Sequence, residues 1–117
     1  MKKIISLLFI CLLLTGCKDK YQIIDSNQAM ELINNNNPII IDVRTNDEYN
    51  ERHIKNSINI PLSSINNINY NKETIIILYC NYGEQSKVAA KELYKLGYTN
   101  IYTLDGGLLN WGFSLEE

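Results

Sequence analysis

The chain is poor in the residues that bind metals and nucleic acids. It has one histidine and three cysteines in 117 residues, and its 11 Lys and Arg residues are outnumbered by 13 Asp and Glu residues. A net charge of −2 leaves no basic excess for neutralising phosphates, so no nucleic-acid partner is expected. No His, Cys, Asp or Glu cluster has metal-ligand spacing, so neither a metal nor another cofactor is expected.

The sequence also lacks an apolar run of the roughly 20 residues that a membrane-spanning helix needs. Its longest run, residues 4–14, follows two lysines and is typical of a secretion signal over residues 1–16. The four residues at its end, Leu-Thr-Gly at 14–16 followed by Cys17, resemble the lipobox of bacterial lipoproteins. That resemblance implies a lipidated Cys17, a tether over residues 17–20, and attachment to the extracytoplasmic face of the cell membrane. A plain secretory signal and a short uncleaved anchor remain as alternatives.

Cleavage before Cys17 would leave Cys80 as the single free thiol of the mature chain, because Cys11 departs with the signal. No disulfide can then form within one molecule. An oxidising compartment usually favours paired cysteines, so a lone thiol there indicates a reactive residue.

Residues 21–117 predict one α/β domain. Short β-type runs alternate with helical patterns, which favours a mostly parallel sheet of about five strands with helices on both faces. The expected strands are 21–24, 39–43, 58–60, 74–79 and 101–104. Ser26 is the predicted N-cap of a first helix, Thr45 and Glu48 match a capping box, and a third helix is expected over residues 87–96. Neither a repeat nor a second domain is visible.

Cys80 lies where the expected strand 74–79 ends and a helix follows. Ligands of such folds bind at the carboxyl ends of the strands. The unpaired N–H groups and partial positive charge at a helix start favour a thiolate. Gly83 permits backbone angles that turn amides toward the sulfur. The segment is therefore predicted to cradle a nucleophile.

Three stretches together resemble the rhodanese-like domain family. The first contains Asp42-Val43-Arg44, Glu48-Tyr49, His53-Ile54 and Asn59-Ile60-Pro61; the second is the Cys-x-x-Gly-x-x-Ser loop at residues 80–86; the third is Leu104-Asp105-Gly106-Gly107 with Trp111. They occur in the family's order and cover nearly all of residues 21–112.

The resemblance implies a monomeric sulfurtransferase that moves sulfane sulfur through a persulfide on Cys80. The donor would be thiosulfate, polysulfide or a persulfide, and the acceptor a thiol or cyanide. The loop around the sulfur would consist of Asn81, Tyr82, Gly83, Glu84, Gln85 and Ser86. The remaining signature positions are interpreted as structural: Asp42, Arg44 and Glu48 as an ion-pair and hydrogen-bond group, with His53, Gly106, Gly107 and Trp111.

The sequence departs from common family patterns at two places. Arg52 and Ser57 replace the usual glycine and alanine around His53-Ile54, and Gln85 stands where many active members carry a basic residue. Glu84 adds a carboxylate that opposes an incoming anion. Thiosulfate is therefore predicted to be a poor donor.

Other interpretations remain open. One alternative is that Cys80 is a buried core thiol without reactivity. A Cys-His dyad with His53 would need a contact that a spacing of 27 residues cannot establish. A cysteine phosphatase or arsenate reductase is disfavoured, since no arginine follows Cys80 to clamp an oxyanion. A noncatalytic binding module at the membrane surface is the rival from another functional class.

Overall fold

The computed structural model describes residues 20–117. The expected signal segment and its Cys17 lie outside these residues. Within them, no helix combines the length and the apolar character that crossing a bilayer requires.

Five parallel strands form the central sheet, as expected. They are β1 Gln22–Ile24, β2 Ile39–Asp42, β4 Ile58–Asn59, β5 Ile75–Tyr79 and β6 Asn100–Leu104, in the order β1-β6-β5-β2-β4. The middle strand β5 is an almost continuous apolar run, which suits a strand covered on both faces. Outside this sheet, β3 His53–Ile54 pairs antiparallel with β7 Leu115–Glu116, a pairing that the sequence analysis did not foresee.

Helices cover both faces of the sheet, which confirms the predicted α/β class. They are α1 Ser26–Asn36, α2 Asn46–Glu51 and α3 Glu84–Lys95, with 3-10 helices at Leu62–Asn67 and Gly107–Asn110. Successive residues of β5 alternate between the two faces. Ile76 and Leu78 pack with Leu93 of α3, whereas Ile77 packs with Ala29 of α1 on the other face.

The helix starts differ from the predictions in two places. The N-cap of α1 is Asp25 rather than Ser26, because the Asp25 carboxylate accepts from the Gln28 amide and the Gln28 side chain accepts from the Asp25 amide. The predicted capping box of Thr45 and Glu48 is confirmed at α2.

The third helix begins three residues earlier than predicted. Gly83 is its N-cap, with φ +101°, and Glu84 is its first residue rather than Lys87. Charged and polar residues at 84–87 hid this turn from an analysis based on apolar spacing. The shift matters because it brings the unpaired amides of the first helical turn up to Cys80.

Candidate active site

Cys80 directly follows β5, and its thiol faces a pocket at the carboxyl edge of the sheet. The residue is only 3% exposed. However, it lines an open pocket of about 440 Å³, together with Thr45, Glu48, Asn81, Tyr82, Glu84 and Gln85. The pocket therefore lies directly against Cys80, although the residue as a whole is buried.

Two backbone amides converge on the Cys80 sulfur. The N–H groups of Gly83 and Ser86 donate to Sγ over N···S distances of 3.1 and 3.3 Å. The Ser86 hydroxyl instead donates to the Gly83 carbonyl at 3.2 Å and accepts from the Cys80 thiol over an S···O distance of 3.7 Å. The two amide donors lie at the positive end of the 12-residue helix α3, an arrangement that can stabilise negative charge on a bound sulfur.

The segment at residues 107–109 is hydrogen-bonded to the backbone of the Cys80 loop. Leu108 N–H donates to the Cys80 carbonyl at 2.8 Å, and Leu109 N–H donates to the Asn81 carbonyl at 3.2 Å. Gly107 makes this approach possible, since a Cβ there would lie 2.5 Å from the Cys80 oxygen. Gly107 also adopts φ +65°, which L side chains disfavour. Of the two glycines in the third family-like stretch, Gly107 thus shapes the loop, whereas a Cβ at Gly106 would meet the Asn110 side chain.

Asn81 links the loop to the first family-like stretch. Its side-chain oxygen accepts from Arg44 Nη1 at 3.2 Å, and its side-chain nitrogen donates to Glu48 Oε2 at 2.8 Å. Arg44 in turn forms a buried bidentate pair with Asp42, through Nε and Nη2, and donates to the Arg52 carbonyl at 2.6 Å. The structure thus places Asp42, Arg44 and Glu48 in one hydrogen-bonded group that fixes the loop.

Contacts within this hydrogen-bonded group shift the pKa values of Glu48 and Arg44. The hydrogen bond from Asn81, followed by those from Thr45, lowers the pKa of Glu48 below its ordinary value. Burial alone would lower the pKa of Arg44, but the hydrogen bonds and charge of Asp42 outweigh it and raise that pKa. Arg44 is therefore a permanently charged structural residue.

Tyr79, the residue before Cys80, is anchored on the other face of the sheet. Its buried hydroxyl accepts from Ile54 N–H at 3.0 Å and lies 3.2 Å from the Ser57 hydroxyl. Burial is the main cause that raises the pKa of Tyr79. Ser57 is itself buried, and it provides a polar partner for Tyr79.

His53 and Trp111 do not contact the Cys80 sulfur. The His53 ring stacks on Tyr49 with centroids 3.9 Å apart, its Nδ1 lies 2.8 Å from the Tyr49 carbonyl, and its Nε2 lies 3.7 Å from Glu116. Trp111 packs edge-on against Phe113 at 5.2 Å. The geometry gives no Cys-His dyad. Within residues 20–117 no group of three or more His, Cys, Asp or Glu side chains is placed to hold a metal ion.

A second pocket adjoins the first across Asn81 and Tyr82. Its volume is about 330 Å³, and its walls include Arg52, Leu109, Trp111 and Leu115. Tyr82 is 69% exposed and therefore forms a rim between the pockets rather than an enclosed wall beside the sulfur. This pocket was not predictable from the sequence, because four of its seven lining residues come from the segment after the last strand of the main sheet.

The family profile described as Rhodanese-like domain matches residues 25–113. Thiosulfate sulfurtransferase GlpE of Coxiella burnetii is 31% identical over 93 residues, which cover 78% of this chain and 87% of that protein. Adenylyltransferase and sulfurtransferase uba4 of Ogataea parapolymorpha is 37% identical over 82 residues, or 68% of this chain, and these span only 21% of that longer protein. A rhodanese-related protein from Thermoplasma volcanium has a similar crystal structure, with a TM-score of 0.72, 28% identity, and coverage of 82% of this chain and 98% of that chain.

Proposed function

Since this chain belongs to the family of rhodanese-like domains, we propose that it is a sulfurtransferase that carries sulfane sulfur on Cys80. The observation that carries the proposal is the pair of amide donors, Gly83 and Ser86, on a thiol that opens into a pocket. A cysteine that only fills space in the core requires neither amide donors on its sulfur nor an adjoining pocket.

In the first half-reaction the Cys80 thiolate attacks the outer sulfur of a persulfide R–S–SH. The new S–S bond forms while the donor's S–S bond breaks, and the electron pair of the broken bond leaves with R–S⁻. Cys80 then carries –S–SH. In the second half-reaction an acceptor thiolate attacks the outer sulfur, takes it as a new persulfide and releases the Cys80 thiolate. No external oxidant or reductant is consumed.

The first turn of α3 offers further donors for the transferred sulfur. The first four N–H groups of a helix have no intrahelical acceptor. Gly83 and Ser86 donate to Sγ, which leaves the amides of Glu84 and Gln85 near the same helix end for the outer sulfur. Within residues 20–117 Cys80 is the free cysteine, so the described domain has no second thiol to accept the sulfur, and the proposed acceptor is an external molecule.

The charges around the pocket favour a weakly charged donor. Two carboxylates, Glu48 and Glu84, line it, and no lysine or arginine does. A carboxylate about 6 Å from an incoming anion opposes it by about 3 kcal/mol for each unit of the anion's charge at an effective dielectric constant near 20, and by less after screening. The proposed donor is therefore an alkyl persulfide or a polysulfide rather than the thiosulfate dianion.

Steady-state kinetics with both donor classes tests this preference. The expected kcat/KM is higher for the persulfide, and Glu84→Gln should raise kcat/KM for thiosulfate more than for the persulfide. Lys87, exposed on the same helix, offers a control position: Lys87→Gln should not raise thiosulfate turnover. A wild-type preference for thiosulfate would contradict the donor assignment.

Mass spectrometry of the intact protein tests the carrier role itself. After exposure to a persulfide or polysulfide, the wild-type chain should gain one sulfur on Cys80, and Cys80→Ser should gain none. Subsequent addition of a thiol should remove that sulfur. An accessible pocket with an unreactive thiol would instead support the noncatalytic binding module.

Phosphatase or arsenate reductase chemistry has less support. It requires a cation free to clamp a tetrahedral oxyanion. Arg44 is already committed to Asp42, Asn81 and a backbone carbonyl. The Cys80 pocket therefore lacks the clamp that this chemistry needs.

The proposal includes a lipid anchor at Cys17 on the extracytoplasmic face of the cell membrane. The signal-like residues 1–16 support it. Lys20 precedes β1, so it lies at the amino edge of the parallel sheet, opposite the edge that carries Cys80. With a tether of at most about 10 Å between residues 17 and 20, the anchored domain would turn its pocket away from the membrane. Metabolic labelling with palmitate should mark the wild type and not Cys17→Ser; equal labelling would contradict the assignment.

A further inference from the structure

Arg52 carries a positive charge that the fold does not use. Its backbone is fixed, since its N–H donates to the Glu48 carbonyl and its own carbonyl accepts from Arg44. Its side chain is exposed and, among residues 20–117, its guanidinium takes part in no ion pair or side-chain hydrogen bond. The described part of the chain thus leaves this cation without a partner.

The pocket that Arg52 lines differs in charge from the Cys80 pocket beside it. Arg52 is its single charged wall, and the others are Asn81, Tyr82 and apolar side chains, including Leu109 at 73% exposure. The Cys80 pocket has two carboxylate walls and no cation. Because Asn81 and Tyr82 border both pockets, one small molecule can place different parts in the two.

We propose that the Arg52 pocket is a binding subsite for the carboxylate of a small alkyl thiol or persulfide, whose sulfur enters the Cys80 pocket. This inference rests on the proposed sulfurtransferase function and specifies its substrate class. A guanidinium binds a carboxylate through charge-assisted hydrogen bonds, and Tyr82, Leu109 and Trp111 can cover the alkyl part of the molecule. The sulfonate of thiosulfate is bonded directly to the transferred sulfur, with no alkyl spacer that could place it in the Arg52 pocket, so thiosulfate should gain nothing from Arg52.

The chemistry of the transfer is unchanged by this subsite. The Cys80 thiolate takes the outer sulfur, and the donor leaves as a carboxylate-bearing thiolate with the electron pair of the broken S–S bond. Because the carboxylate lies away from the reacting sulfurs, Arg52 should bind the ground state and the transition state equally. Its loss should therefore raise KM and leave kcat unchanged.

The test compares two donors that differ only in the carboxylate: the persulfide of N-acetylcysteine and the persulfide of its methyl ester. For Arg52→Gln, kcat/KM for the acid should fall about fivefold, the scale of a solvent-exposed ion pair, while the ester should be unaffected. Arg52→Lys should retain part of the preference for the acid, and high salt should reduce that preference in the wild type. Lys91→Gln removes the same charge from an exposed position on α3 and should change neither donor.

Each result decides between the two proposals. Equal effects of Arg52→Gln on acid and ester, or the same loss in Lys91→Gln, would overturn the subsite while leaving persulfide transfer intact. A wild-type protein that forms no persulfide on Cys80 with either donor would overturn the proposed function itself. Exposure of the Arg52 side chain means that the variants should fold, which thermal unfolding can verify.

Discussion

Substitution of Gly107 by alanine should damage both the fold and the active-site loop. The new Cβ would lie 2.5 Å from the Cys80 carbonyl oxygen and 2.7 Å from the Asn81 carbonyl carbon, closer than real Cβ atoms approach. These neighbours are backbone atoms and cannot rotate away. The loop between β5 and α3 must therefore shift.

The cost has two parts. Holding alanine at the positive φ of Gly107 costs about 1–2 kcal/mol. A shift also weakens the two hydrogen bonds from Leu108 and Leu109 to the loop carbonyls, each worth about 0.5–1.5 kcal/mol. The free energy of unfolding should thus fall by about 2–5 kcal/mol, a large share of the roughly 5–15 kcal/mol available to a domain.

Gly97→Ala is the matched control. Gly97 has φ +101°, but the nearest atoms to its Cβ would be Lys72 side-chain carbons at 3.9 and 4.0 Å. It should show the conformational cost of about 1–2 kcal/mol alone and retain persulfide formation. Urea unfolding and the rate of sulfur loading on Cys80 measure the two effects. The reasoning is refuted if Gly107→Ala is no less stable than Gly97→Ala and loads sulfur at the wild-type rate.

Three other changes probe the side chains that hold the loop. Asn81→Ala leaves a buried guanidinium and the Glu48 carboxylate without their loop partner, so urea unfolding should show a loss of about 1–3 kcal/mol; an unchanged midpoint would contradict this. The pKa of Glu48 is lowered in the folded state, so its contribution to stability is present above the unfolded pKa of about 4.3 and is lost as pH falls through the folded value. The difference in stability between wild type and Glu48→Gln should therefore shrink in acid, and parallel pH profiles would refute it. Tyr79→Phe removes the acceptor of a buried amide and the partner of Ser57, and should cost about 1–3 kcal/mol; combined with Ser57→Ala the loss should be smaller than the sum of the two single losses, whereas strict additivity would show that the hydroxyls are not coupled.

The parallel sheet was predictable because its strands are encoded locally. The run at 75–79 is apolar and β-branched, as a strand buried on both faces requires. The Thr45–Glu48 capping box likewise depends on residues three apart. In contrast, the pairing of His53–Ile54 with Leu115–Glu116 joins short segments some 60 residues apart, and neither has a pattern of its own.

The position of the Cys80 thiol could also be predicted, since a strand end followed by a helix start is a local feature. The donors that reach it could not be assigned one by one. The amides of Gly83 and Ser86 donate to Sγ because helix α3 begins at Glu84. That start could not be located from apolar spacing, since the first turn of the helix is polar. Asn81 was expected to serve the sulfur through its amide, yet its side chain ties the loop to Arg44 and Glu48.

The two arginines of this region show why residue type alone does not assign a role. Arg44 and Arg52 are eight positions apart, and both lie within reach of the loop. Arg44 is buried, and its guanidinium donates to Asp42, Asn81 and the Arg52 carbonyl. Its charge therefore stabilises the fold. Arg52 has its backbone held by that same contact, while its exposed side chain lines an open pocket. Under the proposed subsite, the cation that meets a substrate is therefore the one outside the hydrogen-bonded group, and the protein should favour donors long enough to extend from one pocket into the other.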